Sequence, residues 1–299
     1  MSKKGEFTNQ HIVPVSYLKR FAKKGKSAYR IGVIQRGRKH FIDAVESVGY
    51  IKNYYDVSFL NDIKHWEHYF NDEIESPCRI PMTNLIAKAI LSAPNRIVIS
   101  DNDRYLLSKF IIIQSLRVPS FIDYHILDFE EKITKYKSQI IDSYSFSQEQ
   151  LDVIKGISFS PDEKRNIILS GITDPERLTK YCRILANKPW VVYVNCTALP
   201  FITSDNPVVM TNILSLSNSR SDNGIGNENT IFFFPISPQI ALGIYPYHFA
   251  SSLDSYNGKR IYLYNSDLHM IDGMNRVLLS QCYKQCFVPL DIYNDLYKE

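Results

Sequence analysis

Trp190-Val191-Val192-Tyr193-Val194-Asn195, the six residues after Lys188-Pro189, decide the fold class. All but Asn195 are β-branched or aromatic, and the run is too short and too apolar on both faces to be an amphipathic helix, so it reads as a buried strand. Downstream the same pattern repeats at 201–210, broken by Asp205-Asn206-Pro207, then at 231–236, Ile240–Ile244 and 260–264, before a final helix is expected over 267–281. Upstream the period is helical from about 61 to 187. Trp66, Tyr69, Phe70 and Ile74 recur at helical spacing, as do Leu85, Ile86, Ala89 and Ile90, and Leu106, Phe110, Ile113 and Leu116 mark a helix ending before Pro119. Ser160-Pro161-Asp162-Glu163 and Asp174-Pro175-Glu176 place a capping side chain, a proline and acids where helices begin. Four to six helices are expected in this stretch, with 124–143 a long exposed one.

Ahead of the helices, 8–60 mixes types. Tyr17, Leu18 and Phe21 share one side of a short helix after Pro14, and Tyr29–Gln35 reads as a strand turned by Arg36-Gly37-Arg38 to pair with 39–42. Strands at both ends around a helical middle predict an α+β fold. The simplest arrangement is a single domain over 1–299, with an N-terminal helix and hairpin (8–60), a helical region (61–187) and a strand-rich region (188–299). The N-terminal hairpin and C-terminal strands would form a mixed or antiparallel sheet. The loop Asn218-Ser219-Arg220-Ser221-Asp222-Asn223-Gly224 is mobile by composition.

The 299 residues, 44% hydrophobic and 22% charged with 12 Gly and 14 Pro, exclude collagen-like, fibrous and disordered chains. Net charge is +4, but residues 1–40 hold eleven Lys and Arg against Glu6 alone, leaving 24 basic and 30 acidic residues for the rest. This excess attracts polyanions in a salt-dependent way. Lys19, Arg20, Lys23, Lys24, Lys26, Arg36 and Arg38 are the candidate nucleic-acid contacts, while core packing is the expected use of their aromatic neighbours Tyr17, Phe21 and Tyr29. A solubilising N-terminus is the alternative. Five scattered cysteines and no apolar core in Met1-Ser2-Lys3-Lys4-Gly5-Glu6 fit reduced thiols and a cytoplasmic location. Cys282 and Cys286, four apart, would share a helical face, although zinc would need two more ligands. No apolar run reaches the roughly 20 residues of a membrane span, and no Gly-Lys-Ser/Thr string of a phosphate-binding loop is present.

Three constellations could carry chemistry. His11 in His11-Ile12-Val13-Pro14 resembles the opening of His-Asn-His nucleases, in which a strand-borne histidine is a general base, but the helix ligand those enzymes need is missing. Asp205 in Thr203-Ser204-Asp205-Asn206 sits where a strand breaks, as a metal ligand or base, or as a cap for backbone N–H groups. Gln114 and Arg117, three apart on an apolar helix, share a face and must both be partnered if buried. Asp205, Glu67 or Glu75 could pair with Arg117, as a site or as structural glue.

Taken in order, His11-x-x-Pro14-x-x-Tyr17-Leu18-x-x-Phe21, Gln114-x-x-Arg117-x-Pro119, Phe201-x-Thr203-Ser204-Asp205-Asn206-Pro207-Val208 and Phe233-x-Pro235-Ile236-Ser237-Pro238 resemble the bacterial domain-of-unknown-function 4238 family over about 11–280. Glu67 and Glu75 resemble a pair of acids placed on a helix before the Gln-x-x-Arg segment. The resemblance implies a cytoplasmic bacterial protein linked to anti-phage defence and supplies no catalytic residue. From the residues themselves, one expectation is a hydrolase acting on nucleic acid or a nucleotide. There Asp205 would be metal ligand or base, His11 base or acid, Gln114 part of the site, and Arg117 the phosphate-stabilising cation, with a divalent metal as the candidate cofactor. The other is a non-enzymatic sensor, binding protein or toxin-like effector that grips nucleic acid or a phage component, its polar residues forming a structural network.

Overall fold

The computed structural model describes residues 9–217, 219 and 222–296, the side chains of 294–296 excepted. Lys3, Lys4 and Glu6 of the basic N-terminus and Asn218, Arg220 and Ser221 of the polar loop lie outside the described residues.

The strands, in chain order, are β1 (Asn9–His11), β2 (Lys23–Lys24), β3 (Tyr29–Gln35), β4 (Phe41–Ala44), β5 (Tyr50–Lys52), β6 (Trp190–Asn195), β7 (Thr203–Ser204), β8 (Val209–Asn212), β9 (Thr230–Pro235), β10 (Ile240–Ile244), β11 (Arg260–Leu263) and β12 (Gln285–Val288). The helices are α1 (Val15–Leu18), α2 (His65–Tyr69), α3 (Ser76–Leu91), α4 (Asp101–Leu116), α5 (Pro119–Ser143), α6 (Gln148–Gly156), α7 (Pro161–Thr173), α8 (Pro175–Ala186), α9 (Ala250–Leu253), α10 (Leu268–Gln281) and α11 (Leu290–Leu296). The class is α+β, as the sequence predicts.

The main sheet runs β11-β6-β10-β9-β8, with β11 parallel to β6 and the other pairs antiparallel. Both faces are covered, which explains why β6 and β10 are apolar without alternation. Trp190, Val192 and Val194 meet the helical core together with Phe232, Phe234, Ile240 and Leu242, while Val191, Tyr193, Phe233 and Ala241 face a second core shared with α10. Residues one apart thus enter different cores, as the period of two requires. A second sheet, β2-β3-β12-β7 with β4 on β3, holds the N-terminal hairpin. The hairpin does join C-terminal strands, but in a sheet of its own and through β12, which follows the helix expected to be last. β1 pairs only with β5.

Between the hairpin and β6 the chain is helical. α2 continues through a π-turn over Phe70–Glu75 into α3, and the wider turn keeps Trp66, Phe70, Ile74 and Cys78, spaced by four, on one buried face. Ser160 caps α7 with Glu163 answering in a capping box, and Asp174 accepts from Arg177 N at the start of α8. α4 is the central helix. Leu107, Ser108 and every residue from Phe110 to Ser115 are buried on it, so its two long polar side chains at the C-terminal end have no route to water.

Candidate functional site

Gln114 and Arg117 end α4, and their geometry follows from burial. The Arg117 guanidinium, 1% exposed, donates from Nε (3.2 Å) and Nη2 (2.9 Å) to Gln114 Oε1 and from Nη2 to Glu75 Oε1 (2.9 Å), and lies 4.7 Å above the Phe70 ring. Gln114 Nε2 donates to the Ile12 carbonyl at 2.9 Å, fastening the segment after His11 to the helix. Tyr55 Oη donates to the Arg117 carbonyl at 3.0 Å. Of the three carboxylates that could pair with Arg117, Glu75 does so. Glu67 lies near enough to feel both charges; burial pushes its carboxyl up, with Arg117 opposing and Glu75 adding to the rise.

His11 is half-buried at the end of β1, edge-on to Tyr50, and its Nε2 has no hydrogen-bond partner among the described residues. Burial pushes its imidazole down against the opposing pull of Glu46, so it is neutral at pH 7. One residue earlier, Gln10 is fully buried, accepts from Tyr55 N and donates to Asp56, which Lys64 Nζ also holds at 2.8 Å. Gln10 escapes sequence reasoning because a lone glutamine beside a polar turn looks like a surface residue.

Of the roles expected of Asp205, the cap for backbone N–H groups is the one formed: the side chain is 5% exposed, and its Oδ1 accepts from Tyr283 N (2.8 Å) and its Oδ2 from Lys284 N (2.6 Å) and Gln285 N (2.8 Å). Burial pushes its carboxyl up, and these N–H groups pull against the rise. Its neighbours are engaged in the same way, apart from Asn206 Oδ1, which is buried with no partner among the described residues. Thr203 Oγ1 shares a hydrogen bond with Tyr17 Oη, Ser204 Oγ accepts from Asn206 N, and Asn206 Nδ2 donates to the Gln281 carbonyl. The Thr-Ser-Asp-Asn turn is a clasp that ties the strand break between the two sheets to the turn after α10. Cys282 ends α10 and Cys286 lies on β12, so the shared helical face expected of them does not exist; the neighbouring Cys282 thiol, together with burial, pushes Cys286 up.

The four candidate residues are therefore brought together unequally. Gln114 and Arg117 touch, and His11 lies within the field of Arg117. Asp205 stands apart, lining a cavity of about 220 Å3 with Ile12 and Pro119, the chain neighbours of His11 and of the Arg117 segment. Among the described residues no group of three or more His, Cys, Asp or Glu is placed to hold a metal ion.

The strings that meet here, the His11 strand, the Gln-x-x-Arg end of α4 and the Thr-Ser-Asp-Asn clasp, lie within residues 9–288, all of which match a family model described as a protein of unknown function (DUF4238). The chain belongs to the DUF4238 family. No curated protein and no solved structure matches it.

In this DUF4238 chain the basic residues divide. Lys19 pairs with Glu46 at 3.0 Å and lies over the Tyr29 ring; Arg20 turns inward to Met82, Thr83 and the Arg79 carbonyl; Lys23 pairs with Asp291 at 2.9 Å. Lys24 and Lys26 are exposed near one end of β3, and Arg36 and Arg38 at the other, roughly 20 Å away by strand rise. These four have no ion pair among the described residues. Tyr17 and Phe21 are core residues and Tyr29 is half-buried. Among the described residues no single helix is long and apolar enough to cross a membrane. The bent pair α4 and α5 passes on length and composition, but most of α4 lies in the core.

Proposed function

We propose that this chain is a bacterial anti-phage defence protein, acting in the cytoplasm by binding, as a sensor or toxin-like effector, and that Gln114, Arg117 and Asp205 are the polar framework of its fold, with His11 held beside it by the backbone pairing of β1. The state of Asp205 carries this reading. Both carboxylate oxygens are engaged by three backbone N–H groups and the side chain is 5% exposed, so the carboxylate is held to the turn it caps, and Oδ1, with a single N–H, keeps its other lone pair beside the small cavity. The defence role rests on the family. A hydrolase acting on nucleic acid or a nucleotide is the second reading, favoured by two groups the framework does not use: the unpartnered Nε2 of neutral His11 and the raised carboxyl of Glu67 beside Arg117.

One experiment separates the two. Wild type, His11→Gln and Glu67→Gln are expressed in a bacterial host, challenged with a phage panel and melted as purified proteins. All three are expected to give the same protection at the same melting temperature within error. Protection lost by either variant with an unchanged melt would replace binding by hydrolysis, and no protection by wild type against any phage would remove the defence role.

Nucleic acid is the partner that the charge supports. If Lys24, Lys26, Arg36 and Arg38, the candidate contacts with no ion pair among the described residues, each neutralise a phosphate, they should contribute about 3.6 to the slope of log K against log salt, at roughly 0.9 per phosphate on duplex DNA. Lys24→Glu with Lys26→Glu, both on an exposed edge, should lower the slope by about 2 and leave folding unchanged. Binding indifferent to both salt and charge reversal would point instead to a protein component of the phage.

A further inference from the structure

On the side of α4 away from Arg117, Ser115 and Leu116 face a cavity of about 390 Å3 closed by α5, α7, α8 and the segment between β8 and β9. That is within the range of small-molecule sites, roughly 300–1,000 Å3. Its wall is apolar where Leu116, Phe121, Ile172, Met210 and Ile225 meet. Two of its polar groups are already spent, since Ser115 Oγ donates to the Ile112 carbonyl and Asn223 Nδ2 to the carbonyls of Ser217 and Ser219. Two are not. Arg177 and Tyr181, one turn apart on α8, present a guanidinium at the exposed mouth and a phenol deeper in. Arg177 Nη1 touches the Gly171 carbonyl at 3.2 Å, and its Nε and Nη2 have no acceptor among the described residues. Among the described residues no carboxylate lines the cavity.

Three lining residues are glycines, and conformation does not require them to be. None has φ in the left-handed region, and a Cβ would meet nothing within 4 Å at Gly224 or Gly226 and only Arg177 Nη1, at 3.8 Å, at Gly171. What the missing side chains provide is space beside Arg177, which has no ion pair among the described residues. We propose that this cavity is a binding site for a small ring-bearing molecule with a single anionic group, carboxylate, sulfonate or phosphate. The rings lie between Phe121, Met210 and Ile225, and the anion is held by Arg177 with Tyr181 beside it. The proposal goes beyond both functional readings and depends on neither.

The probe is 1-anilinonaphthalene-8-sulfonate, titrated by fluorescence and calorimetry into the full chain, with uncharged N-phenyl-1-naphthylamine as its counterpart. Wild type is expected to bind the sulfonate at one saturable site and the uncharged amine at least tenfold more weakly. Arg177→Gln, an exposed position, should weaken the sulfonate at least tenfold and leave the amine unchanged. Gly171→Leu, in the last turn of α7 where leucine favours helix more than glycine, should abolish binding of both without lowering the melting temperature; should it lower it, Gly224→Phe replaces it as the filling variant. Equal binding of the sulfonate by wild type and both variants, equal binding of sulfonate and amine, or no binding by wild type overturns the assignment.

Discussion

Asp205→Ala is expected to unfold the protein or bring it close to unfolding. The alanine leaves the N–H groups of Tyr283, Lys284 and Gln285 without their side-chain acceptor, and each donor left unsatisfied costs about 1 to 3 kcal/mol. The total, about 3 to 6 kcal/mol after some water enters, is comparable with the roughly 5 to 15 kcal/mol that keeps a domain folded. Asp205→Asn should be milder, at about 1 to 3 kcal/mol. Its Oδ1 can take the place of the oxygen that serves Lys284 and Gln285, and its amide then opposes only Tyr283 N. Urea denaturation of the three proteins should rank them wild type, Asn, Ala. An alanine variant within about 0.5 kcal/mol of wild type would mean that the clasp is wet and that Asp205 is available for chemistry.

How far these features could be read in advance depends on whether the deciding contact is local. β6 is legible to the residue because a β-branched and aromatic run after proline, buried on both faces, fits no other element, and β10 because its five-residue apolar run, bounded by Gln239 and Tyr245-Pro246, is too short for a helix. The starts of α7 and α8 are legible because a capping side chain and its N–H lie three residues apart. β1, β5 and β12 are three or four residues long, too short for a period of two to appear, and they are strands only because a distant partner supplies their hydrogen bonds. The same holds at the candidate site. Gln114 and Arg117 can be paired from their spacing and from the cost of burying either alone, and Glu75 is among the acids that cost calls for. At Asp205 a polar strand break suits a base and a backbone cap equally, and the sequence does not choose between them. The groups that bury it are backbone N–H groups 78 to 80 residues away, which carry no residue signature. The same distant cap holds the turn that leads from Cys282 into β12 and Cys286, a stretch whose spacing of four suits a helical face.

Arg117→Ala carries the other large expected effect. Removing the guanidinium leaves the Glu75 carboxylate, 15% exposed, and the buried Gln114 Oε1 without their donors above the Phe70 ring, at a cost of about 3 to 5 kcal/mol. Arg117→Lys should recover only part of it, because one ammonium cannot reproduce the planar fork that reaches Gln114 from Nε and Nη2 while Nη2 also meets Glu75. The decisive measurement is a double-mutant cycle with Arg117→Met and Glu75→Leu, followed by urea denaturation. Each single change strands a charge in an apolar surround, whereas the double change strands none and keeps most of the volume. The double variant should therefore be more stable than the sum of the single costs implies, by about 1 to 3 kcal/mol. Strictly additive costs would mean that water already solvates Glu75 and that Arg117 is held by Gln114 and Phe70 alone. In that case the acid would be accessible, and the hydrolase reading, which needs an accessible carboxylate beside a cation, would gain the group it lacks.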